Sequence, residues 1–137
     1  DIIAHLRIGH AVRLFDRYIV NDEVSTFFAA ADAVVAPYRS GTQSGALAIA
    51  LALGVPMIAT DVGGLGEFAI NGKTGYLVAP GDRDALARAI VSLLGDPDRD
   101  RFAKAARELS REYTWEQLCD KILAQAGAPF PRQSSAM

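Results

Sequence analysis

The 137-residue sequence is half apolar, carries a formal net charge of −2 with acidic and basic residues interspersed, and contains one cysteine. That size and composition suit one domain with a single core, and the charge balance lacks the basic stripe that tracks nucleic acid. Cys119 alone excludes an internal disulfide or a cysteine-based zinc site, which fits a reducing compartment such as the cytoplasm, and no run approaches the roughly eighteen apolar residues that span a bilayer.

Short apolar runs alternate with helical patterns, the signature of an α/β fold with a Rossmann-like parallel sheet flanked by helices. Residues 12–15 predict a first strand. Asn21 or Asp22 can cap a helix over residues 23–31, whose apolar face holds Val24, Phe27, Phe28 and Ala31. Residues 33–37 read as a buried strand, 46–53 as a helix stopped by Gly54, Val55 and Pro56, and 57–60 as the next strand. A helical turn over 65–70 and a tight turn at Asn71 and Gly72 lead to a fourth strand, 75–78. Three helices follow over 82–94, 99–113 and 114–126, and residues 128–137 have no periodicity and predict a flexible tail. Phe15, Phe27, Phe28, Phe68 and Tyr76 sit in apolar patterns as core candidates, with Trp115 as a packing anchor and His5 and His10 on the surface.

The helix over 46–53 is apolar all round, so it should be enclosed on every side. Its amino end carries unpaired N–H groups and the positive pole of the helix dipole, behind the small polar loop Gly41, Thr42, Gln43, Ser44 and Gly45. Two readings stand. In one, a diphosphate approaches the backbone of Ser44, Gly45 and Ala46 while Thr42 and Gln43 add side-chain hydrogen bonds; in the other, Ser44 or Thr42 caps a buried helix. Gly63 and Gly64 follow a strand directly and free the backbone for close approach to a ligand, or simply connect two elements. The loops after Pro37, Thr60 and Val78 share one rim, at the carboxyl ends of the strands where open α/β sheets bind ligands.

Other motifs fall away. Gly63, Gly64 and Gly66 lack the dinucleotide-fingerprint spacing. Gly66 to Thr74 places five residues between glycines where a P-loop needs four, and a strand rather than a helix follows. No nucleophile–base pair or paired carboxylates stand out, so the catalytic residues are unknown from sequence.

In order, Tyr18 to Val24, Ala30 to Tyr38, Ala50 to Gly64 with Glu67, and Asn71 to Asp82 resemble the carboxy-terminal half of retaining glycosyltransferases of the two-domain GT-B fold, in the large family 4 group. The resemblance covers roughly residues 1–120. It implies a donor nucleotide diphosphate on the backbone around Ser44, Gly45 and Ala46, polar donor contacts from Thr42 and Gln43, and the base near Asp16, Arg17 and Tyr18. The loop of Gly63, Gly64 and Glu67 lines the same site, and no bound metal or other cofactor is expected.

Two departures qualify it. Most of the family carries glutamates where this chain has Gly41 and Ile49, and the run Tyr38 to Gly45 is similar instead to a subgroup with a Thr-Gln-Ser-Gly loop. The family's acceptor domain and the Gly-rich start of its donor domain also find no counterpart here. The expectation is therefore an amino-terminally incomplete donor domain over residues 1–127, inactive alone. Its partners are a nucleotide sugar, a sugar, lipid or other acceptor, and the missing amino-terminal domain of the same protein. The intact protein is expected to be a cytoplasmic hexosyltransferase, with peripheral contact at the inner membrane through the missing domain left open. A non-catalytic module and a nucleotide-sugar epimerase of the same fold are the alternatives.

Overall fold

The computed structural model describes residues 2–126. The tail expected at 128–137 lies outside the described residues. The elements, in order, are α1 (Ile2–His5), α2 (Asn21–Ala29), β1 (Val34–Ala36), α3 (Gly45–Leu53), β2 (Met57–Thr60), a 3-10 turn (Leu65–Glu67), β3 (Gly75–Val78), α4 (Arg83–Leu94), α5 (Asp100–Ser110), a second 3-10 turn (Arg111–Tyr113) and α6 (Trp115–Ala126).

The sheet is parallel with order β1-β2-β3. Val34 pairs with Met57 and Met57 with Gly75, so the three strands run in step and their carboxyl ends lie on one edge. β2 is buried along its whole length, as expected of a central strand. Its alternation divides the core between the two faces. Met57 and Ala59 join Leu47, Ala50 and Leu51 of α3 with Ala106 and Leu109 of α5 on one side. Ile58 joins Ala89 and Leu93 of α4 with Phe102 of α5 on the other.

Local chemistry fixes the boundaries. The Asp82 carboxylate accepts from Ala85 N at 2.8 Å and caps α4. Gly54 ends α3 in the left-handed region at φ 72°, and Val55 N reaches back to Ala50 O at 2.8 Å. Gly75 sits at φ 154°, where a Cβ would lie 1.7 Å from Met57 O, so only glycine lets β3 pair there. Thr74 is fully buried and ties the turn before β3: its hydroxyl donates to Phe68 O and accepts from Ile70 N.

Several expectations are corrected. Residues 12–15 form no strand: β1 pairs only with β2 among the described strands, and an apolar run without a ladder partner stays irregular. Phe15 is accordingly 53% exposed, with its ring set edge-to-face against Phe27, and is not part of the buried core. Neither Asn21 nor Asp22 caps α2. Val20 holds that position without a side-chain bond, and Asp22 and Glu23 serve the first turn instead.

The helix expected to be enclosed all round is covered on one side only. Leu47, Ala50 and Leu51 are buried against β1, β2 and α5, whereas Ile49 and Leu53 are 36% and 42% exposed. Trp115 is 79% exposed on α6, which packs chiefly on the second 3-10 turn, so it anchors nothing among the described residues.

Candidate functional site

The polar loops after β1 and β2 meet at the carboxyl rim of the sheet. Thr60, the last residue of β2, donates its hydroxyl to Tyr38 O at 2.6 Å and so fixes where the chain leaves β1. The phenol of Tyr38 then lies 3.3 Å from Ser44 Oγ. Across the same gap Gly64 N donates to Thr42 O at 2.8 Å.

Gly63 makes this approach possible. Its φ is +52°, and a Cβ there would stand 2.1 Å from Gly41 O and 2.8 Å from Thr42 O. Thr42, Gln43, Ser44, Gly63, Gly64 and Glu67, which the sequence places in two separate loops, thus form one continuous surface.

At its centre is the amino end of α3. Ser44 is 5% exposed and its Oγ accepts from Leu47 N at 3.3 Å, while Ala48 N bonds to Ser44 O at 3.1 Å. The capping expectation therefore holds for Ser44, and its hydroxyl is already engaged. The amides of Gly45 and Ala46 have no acceptor among the described residues. Gly45 is exposed, and a Cβ built on it meets nothing within 4 Å. Two N–H groups without protein acceptors at the positive end of an apolar helix have the chemistry to receive an anion. Ser44 is thus the cap, and the amides of Gly45 and Ala46 stay without a protein acceptor beside it.

The loop of Asp16, Arg17 and Tyr18, where the base is expected, packs its arginine against α2. Arg17 pairs with Glu23 of α2 at 2.7 Å, which raises the guanidinium pKa above its ordinary value, and Tyr18 is exposed. None of the hydrogen bonds of Asp16, Arg17 and Tyr18 among the described residues reaches residues 42–46. Gly41 and Ile49, where most of the family carries glutamates, are both exposed, so the missing carboxylates leave an open polar loop and an apolar spot on the outer face of α3.

A cleft of about 420 Å³ opens beside this surface, lined by Pro37, Arg39, Thr60, Gly81, Asp82 and Arg83 among others. It shares Thr60 with the rim, but none of Thr42 to Ala46 lines it. A larger groove of about 500 Å³ lies at the opposite, amino ends of the strands, bordered by Asp32, Gly54, Pro56, Arg99 and Arg107. Size does not decide between them. Open α/β sheets present free helix amino ends at the carboxyl edge, and the loop glycines gather there as well.

The model of the family described as "Glycosyl transferases group 1" matches residues 2–96. This chain belongs to that family. A glycogen synthase of Mycobacterium tuberculosis (strain CDC 1551 / Oshkosh) is 37% identical over 114 residues, covering 82% of this chain and 27% of that protein. A D-inositol 3-phosphate glycosyltransferase of Stackebrandtia nassauensis is 31% identical over 135 residues, covering 98% of this chain and 30% of that protein.

Among solved structures, sucrose-phosphate synthase from Thermosynechococcus elongatus superposes with a TM-score of 0.79 at 31% identity, over 91% of this chain and 32% of that one. The chain thus spans 27% to 32% of the length of these relatives. The agreement establishes the fold as the Rossmann-like kind used by GT-B glycosyltransferases.

Within this group 1 domain, Tyr38 and Thr60 are positioning residues that sequence reasoning passed over. Thr60 stands at the end of an apolar strand, where a hydroxyl facing a neighbouring loop is the available signal. Tyr113 stacks edge-on with Phe68 at 5.2 Å, and its phenol pKa is raised by burial first and by the charges of Glu67 and Glu112 second.

Proposed function

We propose that the intact protein is a retaining hexosyltransferase of family 4, and that the described residues hold its nucleotide-sugar donor. The observation that carries this reading is the open amino end of α3, where Gly45 and Ala46 amides lack acceptors beside the Gly63–Gly64 loop, in a chain of the glycosyl transferases group 1 family.

When the sugar–phosphate bond breaks, negative charge develops on the leaving diphosphate. Fixed N–H donors aimed at that charge stabilise the transition state more than the ground state, because the charge grows as the bond lengthens. The dipole of the nine-residue α3 adds to the effect without reorganisation. Thr42 and Gln43 extend the polar surface toward the donor, Ser44 holds the helix end in shape, and Asp16, Arg17 and Tyr18 mark the base region. In this reading the helix end performs the charge stabilisation that a divalent ion gives other transferases, so no bound metal is required. The acceptor is held by a second, amino-terminal domain across the cleft, a reading supported by relatives about three times as long as this chain. We place the protein in the cytoplasm, where the single Cys119 stays reduced and nucleotide sugars are available.

The full-length protein, offered UDP-glucose, ADP-glucose and GDP-mannose with EDTA present, should release nucleoside diphosphate in the presence of an acceptor extract. The product should keep the anomeric configuration of the donor, as read by NMR. Binding of these nucleotides without turnover under any acceptor condition would favour a non-catalytic module, the reading to which Gly41 and Ile49 lend support. Activity abolished by EDTA and restored by a divalent ion would refute the metal-free mechanism.

A further inference from the structure

We infer that Gln43 and Glu67 act as a pair that reads hydroxyl groups of the donor's sugar, and so set its specificity. The inference rests on the proposed donor site. A Cβ built on Gly64 would lie 2.8 Å from Gln43 Nε2 and 3.3 Å from Glu67 Oε1, with Thr42 O at 3.2 Å. An amide from the loop after β1 and a carboxylate from the first 3-10 turn thus converge over a residue that has no side chain.

The pair has the chemistry for a polyol. The side-chain amide donates and the carboxylate only accepts, so together they can hold two neighbouring hydroxyls, one as acceptor and one as donor. Both side chains are exposed, and neither makes a side-chain hydrogen bond among the described residues. Their placement is fixed from below. Gly64 N bonds to Thr42 O, and Gly63 lies too close to Gly41 and Thr42 for any other residue. The backbone from which both side chains spring is therefore held in place, while their heads are free to meet a ligand.

The free amides of Gly45 and Ala46 follow two residues beyond Gln43, so diphosphate and sugar would be held by adjacent stretches of one loop. Gly64 itself takes part by being small. Its φ of −91° suits any residue, so nothing in the backbone demands glycine, and what a methyl group would occupy is the gap between Gln43 and Glu67.

The test compares affinities of the full-length protein for sugar nucleotides and for the matching diphosphates: UDP-glucose with UDP, ADP-glucose with ADP, and GDP-mannose with GDP. For the pair that binds wild type, Glu67→Gln, Gln43→Ala and Gly64→Ala should each weaken the sugar nucleotide about tenfold or more, the size of one lost charge-assisted or buried hydrogen bond. Affinity for the diphosphate alone should fall far less than that for the sugar nucleotide, with Glu67→Gln showing the widest difference between the two. Equal weakening of sugar nucleotide and diphosphate would show that the residues merely shape the loop, and no change in either would show that they face solvent; both outcomes overturn the inference while leaving the donor site standing. A wild-type protein that binds none of the diphosphates overturns the donor site and this inference together.

Discussion

Replacing Gly45 with aspartate separates a helix cap from an anion site. Gly45 is the first residue of α3, its backbone is not in the left-handed region, and a Cβ there touches nothing within 4 Å. The fold accommodates the side chain. Loss of glycine's freedom in the unfolded chain and a carboxylate at the positive end of the helix together stabilise the fold by about 1 kcal/mol.

The opposite holds for a bound diphosphate. A carboxylate about 4 Å from a phosphate charge costs about 4 kcal/mol at the effective dielectric of a protein surface. Solvent at this exposed end reduces that to about 2 kcal/mol, or roughly thirtyfold in affinity. Calorimetry of the full-length Gly45→Asp protein with UDP, ADP and GDP, alongside a melting curve, reads both quantities. The account expects a higher melting temperature and a nucleotide affinity lower by more than tenfold. A stabilised variant that binds its nucleotide as well as wild type would refute the assignment of the diphosphate to α3.

Gly63→Ala should destabilise the domain by at least about 2 kcal/mol in denaturant titration, since the left-handed φ and the close Gly41 carbonyl both penalise a methyl group. Thr74→Val keeps the volume of the buried side chain but strands Ile70 N and Phe68 O, with an expected loss of about 2–4 kcal/mol by the same measurement. The Asp96 carboxyl is held below its ordinary value of 3.8, first by the hydrogen bond from Arg101 and then by Asp98 N. A carboxyl depressed in the folded state contributes stability above its unfolded pKa and loses it as the pH falls through the folded one. Asp96→Asn should therefore flatten the fall of melting temperature below about pH 4.

Much of this architecture was legible because local signals and tertiary structure agree. β2 is an apolar run between Pro56 and a polar loop, β3 follows a glycine turn, and α4 begins at the side-chain cap of Asp82. The failures share a cause. Residues 12–15 are apolar except for Arg13, but strands are made by partners, and none pairs with them among the described residues. The pattern of α6 marks an apolar face at Trp115 without saying what covers it, and α3 is apolar all round although only one side is packed.

The site shows the same limit. Each glycine-bearing loop could be recognised as a place where backbone comes close to something. That Gly63 comes close to Gly41 and Thr42, and that Ser44 is committed to its helix so that Gly45 and Ala46 are left as donors, depends on contacts between segments that sequence spacing does not encode.

The most direct measurement follows backbone amides of the isotope-labelled full-length protein by NMR during titration with UDP, ADP and GDP. The account predicts that one of these nucleotides shifts the Gly45 and Ala46 resonances first and furthest, with Gly63 and Gly64 next and residues near Gly54 and Arg107 unmoved. Saturable shifts centred on Gly54, Pro56 and Arg107 at the opposite end of the sheet, with Gly45 and Ala46 unchanged, would contradict it.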